Sequence, residues 1–227
     1  IKDDSLLVLD EAGAKALNDR LRSAQFKVLS VESKPYTRKP APPFTTSTMQ
    51  QEANRKLGFT AGRTMNAAQS LYENGHITYM RTDSTNLAQV AVDAARDLVN
   101  SEYGNDYLPE TPRTYANKVK NAQEAHEAIR PAGHPFELPG ALKNSLNSDE
   151  YRLFEMIWKR TIASQMVDAR GHNTTITIEG DGAIFRVSGR TIDFPGFLRA
   201  YVEGSDNPNA ELADRETLLP SVEQGQQ

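Results

Sequence analysis

A chain of 227 residues, 38% apolar and 25% charged, has the material for a sizeable core, which excludes collagen-like, low-complexity and fully disordered classes. It has no cysteine, so disulfides, thiolate metal sites and a cysteine nucleophile are excluded, and an intracellular origin is favoured. The net charge of −4 is uneven: residues 34–81 carry a net +5 and 111–135 a net +2, whereas 82–110 and 203–227 each carry −5, so a polyanion would dock only on the basic stretches, with strongly salt-dependent affinity.

The chain opens on Ile1 without a methionine and ends in the polar run 221–227, and it is expected to be an excised piece of a longer protein. No signal peptide is visible, and no run of about 18 apolar residues offers a membrane span. Ala14, Leu17, Leu21 and Ala24 recur at helical spacing, which predicts a helix over 10–24. Phe26 to Val31 reads as a strand. Lys34 to Pro43 holds Pro35, Pro40, Pro42 and Pro43 and is expected to be a stiff connector.

Thr45-Thr46-Ser47-Thr48 offers caps for a helix to about Leu57, with Gly58 at its C-terminal cap. A second helix, from about Ala61 to Asn74, has Met65, Ala68, Leu71 and Tyr72 as its apolar stripe and is closed by Gly75. Ile77 to Arg81 reads as a short extended piece. Thr82 to Asn86 is a turn, and a third helix runs from about Leu87 to Tyr103. Residues 104–122 are loop-like, and 122–129 predict one or two helical turns stopped by Pro131. A fourth helix, well buried, runs from Ser148-Asp149 to about Met166.

The period then switches to two. Thr175, Thr177 and Glu179 alternate with Ile176 and Ile178, Gly180-Asp181-Gly182 signals a hairpin, and Ala183 to Val187 returns. Phe194-Pro195-Gly196 is a further turn ahead of Phe197 to Glu203. The fold class expected is α+β. A helical domain, residues 39–170, is inserted into a discontinuous β-rich domain, residues 1–38 plus 171–227, through two hinge strands near 34–43 and 168–174.

If Ile77 to Arg81 is extended, Tyr79 and Arg81 share one side with Ile77. A guanidinium beside a phenol favours its ionised form, and Arg81 could hold a phosphate with two donors while Tyr79 attacks it. Tyr-x-Arg alone is far more often the pattern of a packed strand tyrosine beside a surface arginine. His126 lies in Glu124-Ala125-His126-Glu127, where His-Glu-x-x-His is not completed because Arg130 occupies the fifth position. It could donate to a phosphate or help to move a proton. His76, His134 and His172 read as structural. No Gly-x4-Gly-Lys-Ser/Thr loop, no Asp-x-Asp cluster for Mg²⁺ and no Gly-x-Ser-x-Gly elbow occurs.

The string Glu73-Asn74-Gly75-His76-Ile77-Thr78-Tyr79-Met80-Arg81-Thr82-Asp83-Ser84 resembles the active-site motif of type IA DNA topoisomerases. Pro43 to Ala53 upstream, Gln123 to Pro131 downstream and Leu153 to Met166 beyond them match in the expected order, most like bacterial topoisomerase I. The resemblance implies that Tyr79 is the nucleophile that cuts one DNA strand and keeps a 5′-phosphotyrosine link, allowing strand passage and relaxation of negative supercoils. It implies that Arg81 holds the scissile phosphate and that His126 helps to position DNA. Gln69, Glu73, Thr82, Asp83 and Arg130 match positions that bind DNA or support the site. The chain would correspond to the family's second and third domains, a β arch and the helical domain with the tyrosine. The Toprim domain with its Mg²⁺, and the fourth domain, would lie elsewhere in the parent chain and be partners along with single-stranded DNA. No cofactor is expected in this piece, which alone should not relax DNA. It is expected to be monomeric, cytoplasmic, nucleoid-associated and without a membrane partner. The competing readings are a non-catalytic single-stranded nucleic-acid-binding module, in which Tyr79 stacks on a base, and a purely structural or interaction domain.

Overall fold

A computed structural model describes residues 8–115, 127–201, 219–220 and 222–227. The fold is α+β and divides into two compact units, one formed by 1–36, 172–191 and 215–227, the other by 37–171 and 192–214.

The first unit is built on a three-stranded antiparallel sheet in the order β1-β2-β3, with β1 Phe26–Arg38, β2 Ala169–Gly180 and β3 Ala183–Phe194. The far ends of these strands are counted with the second unit. β1 runs through Pro35 to Arg38, where a connector was expected. β1 is an edge strand, where alternate positions need no ladder donor and proline is tolerated. Asp181 and Gly182, both at positive φ, make the hairpin turn between β2 and β3. Gly180 leaves room for the ring of Phe26, which lies within 2.5 Å of where a Cβ would stand. Helix α1, Glu11–Arg22, is capped by the Asp10 side chain accepting from the Gly13 N–H at 2.7 Å. Its Arg20 pairs with Asp181 at the hairpin turn at 3.1 Å.

The second unit is helical: α2 Thr46–Leu57, α3 Ala61–Glu73, α4 Gln89–Tyr103, α5 Pro139–Leu142 and α6 Ser148–Ser164. Short polar signals set the ends. Thr45 and Thr48 form a reciprocal capping box at the start of α2, and Gly58 closes it in the left-handed region at φ 69°. Asn147 and Glu150 form a second box at the start of α6. α6 is the central element and packs against α2, α3, α4 and α5. Ten of its residues are buried, among them Leu153, Phe154, Ile157 and Trp158. Its buried Arg160 donates to the Pro42 carbonyl at 2.8 Å and lies over the rings of Phe44 and Tyr201. The short helix α5, four residues long, carries no periodic signal in the sequence.

Residues 127–129 are not helical. They run extended, with the Ala128 N–H donating to Asn86 O and the Ile129 N–H to Phe44 O, both at 2.8 Å. Residues 122–126 of the predicted turns lie outside the described residues. Gly196, at φ 49°, begins a 3-10 turn over Gly196–Arg199. A Cβ there would stand 2.6 Å from the Val167 carbonyl oxygen. Gly196→Ala is therefore expected to destabilise the chain by about 2–4 kcal/mol, combining left-handed strain with overpacking. The urea midpoint followed by fluorescence of Trp158, the single tryptophan, measures this. A parent-like midpoint would mean that the neighbouring backbone gives way freely.

Candidate active site

The segment that follows α3 is held by alternating anchors. Gly75, at φ 77°, turns the chain, and the His76 N–H returns to Leu71 O at 2.8 Å. Ile77 is buried and bridges to Pro131. Thr78 is tied on both backbone and side chain. Its N–H donates to Arg130 O at 2.9 Å, its hydroxyl donates to Ala128 O at 2.8 Å, and that hydroxyl accepts from the Arg130 N–H at 3.0 Å. Met80 is 1% exposed and Thr82 is buried. The segment is thus not a strand. It forms one bridge and a series of bends, so Ile77 faces the core and does not share a side with Tyr79.

Between these anchors, two side chains face outward. Tyr79 is 38% exposed, and Arg81 is exposed. Among the described residues no acid pairs with Arg81, whereas other arginines of this unit are committed. Arg63 is paired with Asp149, whose carboxyl it holds below the usual carboxylate range. Arg113 is paired with Asp168. Arg130 is buried; its Nε donates to Glu127 at 2.6 Å and its Nη1 to Pro131 O at 2.9 Å. That guanidinium therefore pins the 127–131 segment rather than standing on the surface beside Tyr79.

The tyrosines separate in the same way. Tyr115 is largely buried, donates to Ser164 O at 2.8 Å, and its phenol is pushed up to about 12 by burial. Burial likewise raises Tyr103. Tyr107 and Tyr201 are buried. Only Tyr72 and Tyr79 are exposed, and they meet edge to face with ring centres 5.3 Å apart. Tyr72 is therefore not part of the core stripe of α3; Ala68 and Leu71 are buried, while Tyr72 turns toward Tyr79. Gln69 donates to Glu73 one turn along the same helix. Asp83 is exposed. The Thr82 hydroxyl accepts from the Ser84 N–H at 3.0 Å, a turn-forming bond inside the protein. His126 lies outside the described residues. Gln69, Tyr72, Glu73, Tyr79, Arg81 and Asp83 are thus surface groups carried by α3 and the segment that follows it, while Thr82 and Arg130 hold the frame.

Two features were not read as functional from the sequence. Tyr72 had the spacing of a core residue, and Thr46 read only as a helix cap. Thr46 instead bonds to the Met80–Thr82 backbone: its N–H donates to Thr82 O, and its hydroxyl lies 2.8 Å from Met80 O and 2.9 Å from Thr82 N. Among the described residues no group of three or more His, Asp or Glu side chains could hold a metal ion. No described helix is long and apolar enough to cross a membrane.

Residues 2–227 match the family model described as DNA topoisomerase. The chain is 59% identical over 230 residues to DNA topoisomerase 1 of Streptomyces coelicolor, covering 99% of this chain and 24% of that protein. It is 57% identical to DNA topoisomerase 1 of Mycolicibacterium smegmatis, covering 99% and 25%, and 58% identical to that of Synechococcus elongatus, covering 96% and 24%. The chain thus spans about a quarter of the length of these curated relatives. The solved structure of full-length topoisomerase I from Thermotoga maritima superposes with a TM-score of 0.77 at 32% identity, covering all of this chain and 35% of that one.

Proposed function

This chain belongs to the type IA DNA topoisomerase family, among the bacterial topoisomerase I proteins, and from that membership we propose that it is the gate portion of such an enzyme, with Tyr79 as its nucleophile. The observation that carries the reading is an exposed phenol and an exposed guanidinium, which pairs with no acid among the described residues, held two residues apart by buried anchors. The Tyr79 Oη attacks the phosphorus of a phosphodiester in single-stranded DNA. An O–P bond to tyrosine forms as the phenol gives up its proton, the bond from phosphorus to the 3′-oxygen breaks, and that oxygen takes up one proton and leaves as the 3′-hydroxyl. The 5′-phosphate stays on Tyr79. Arg81 binds the non-bridging oxygens and offsets the charge that builds on them. Attack by the 3′-hydroxyl reverses the step and frees the phenol. One phosphoester is exchanged for another, so resealing needs no nucleotide.

Gln69 and Glu73 lie on α3 with Tyr72, whose ring meets that of Tyr79, and Asp83 follows Arg81 by two residues; these, with His126, would contact DNA near the cut. Thr82 and Arg130 support the loops that present it. The β-rich domain, 1–38 plus 171–227, would be the hinge on which the helical domain, 39–170, swings to pass a strand and relax negative supercoils. The Toprim and fourth domains of the parent chain would hold the other DNA end. Mg²⁺, which the resemblance implies for the whole enzyme, does not fit the described residues here, which gather no group of three or more His, Asp or Glu side chains. The piece alone would be a monomer unable to relax DNA, and the parent a cytoplasmic, nucleoid-associated enzyme.

The test uses the full-length enzyme and a single-stranded oligonucleotide labelled at its 3′ end. After a denaturant stop, label is expected on protein, and peptide fragmentation is expected to place the nucleotide on Tyr79. Attachment to Tyr72 would move the nucleophile to the neighbouring phenol. Salt-dependent binding with no adduct would favour the non-catalytic binding module.

A further inference from the structure

We propose that Thr46 is a positioning residue for the cleavage step, fixing the direction of Arg81 through a single hydroxyl. The inference rests on the reading of Tyr79 and Arg81 given above. Two peptide units flank Arg81, and both are tied to the same oxygen. The Thr46 Oγ1 donates to Met80 O at 2.8 Å, the carbonyl before Arg81, and accepts from the Thr82 N–H at 2.9 Å, the amide after it. The Thr46 N–H adds a third bond, to Thr82 O at 2.9 Å. The Arg81 Cα is therefore bracketed from both sides. The bracket is rigid because Thr46 is the first residue of α2, whose start is locked by the Thr45–Thr48 box.

Apolar burial does not supply the same restraint. Met80 anchors the segment in the core, but a side chain leaving the next residue can still rotate with its peptide planes. Fixing both planes sets the direction in which the guanidinium leaves the surface. An error of about 1 Å in such a group costs up to about 100-fold in rate, although the group itself is unchanged. Thr46 touches neither the phenol nor the phosphate in this scheme, and its effect passes through Arg81 alone.

The experiment is performed on the full-length enzyme with four variants: Thr46→Val, Thr46→Ser, Arg81→Ala and the Thr46→Val/Arg81→Ala double variant. Thr46→Val keeps the shape and removes the hydroxyl. It is expected to slow adduct formation about 10–100-fold while single-strand affinity changes by less than about threefold. Thr46→Ser keeps the hydroxyl and is expected to stay within about threefold of the parent. In the Arg81→Ala background, Thr46→Val is expected to cost no further rate, because the group it aims is gone. The Thr82 amide should exchange faster with solvent in Thr46→Val.

Additive losses in the double variant would overturn the inference, since Thr46 would then act on something other than Arg81. So would a tenfold loss in Thr46→Ser at the parent melting temperature, or a Thr46→Val enzyme as fast as the parent. If Thr46→Val does not fold, Thr46→Ala, which also lacks the hydroxyl, takes its place in both Arg81 backgrounds, with the same expected and overturning results. An active Tyr79→Phe enzyme, in contrast, would remove the underlying reading and not merely this extension.

Discussion

Replacing Tyr79 by phenylalanine is expected to bring plasmid relaxation and DNA cleavage by the full-length enzyme to background, a fall on the order of 10⁴-fold or more. The change deletes one oxygen, the atom that makes the bond to phosphorus. The ring remains, and with it the edge-to-face contact with Tyr72. Because Tyr79 lies at the surface, the melting temperature should move by no more than about 3 °C. Single-strand affinity should persist, because the phosphate contacts that dominate it come from cations. Gel relaxation of a negatively supercoiled plasmid gives the rate, and a fluorescence titration gives the affinity. A Tyr72→Phe control should retain most activity. If the two variants exchange behaviour, the nucleophile is the residue on α3; if both remain active, covalent catalysis by this unit is wrong.

The second large effect is expected at Arg81. Removing its side chain should lower the cleavage rate by about 10²–10³, the usual cost of deleting one preorganised donor to a charged transition state. Arg81→Lys should fall between the alanine variant and the parent, because an ammonium supplies charge without the planar two-donor fork. Salt dependence provides a second readout. If Arg81 touches a phosphate, Arg81→Ala should reduce the slope of log affinity against log salt by roughly 0.7. An unchanged slope would mean that the guanidinium does not contact the strand. A lysine variant equal to the parent would mean that only its charge is used.

Much of the helical unit was legible because its signals are local. The threonine run before α2, Gly58 after it, Gly75 after α3 and the polar start of α6 act through bonds spanning a few residues. The strand at Phe26 and the hairpin at Gly180-Asp181-Gly182 were legible for the same reason. Pro35 misled because proline weakens a strand only where its missing donor is needed, and edge position is not written locally. Tyr72 misled because helical spacing defines a face but not what covers it. The hydroxyl of Thr46 could not be read as a clamp, because its partners, Met80 O and the Thr82 N–H, lie 34 and 36 residues away. The motif itself marked Tyr79 and Arg81, yet their outward presentation depends on Ile77, Met80 and Thr82 being drawn inward, which is a tertiary fact.

That inward-outward order between Ile77 and Thr82 also bears on how the gene can drift. Point changes at the outward places alter chemistry without disturbing the frame. Although the segment is not a strand, its places alternate from Tyr79 to Thr82, so losing the codon for Tyr79 would put Met80 in the outward place and Arg81 in the inward one, sending a guanidinium toward the interior and a methionine toward water. Neither outcome can be rescued by a neighbouring substitution, because the pins on each side come from separate parts of the chain. The spacing of this stretch should therefore be the least negotiable length in the molecule, more so than the identity of several residues within it.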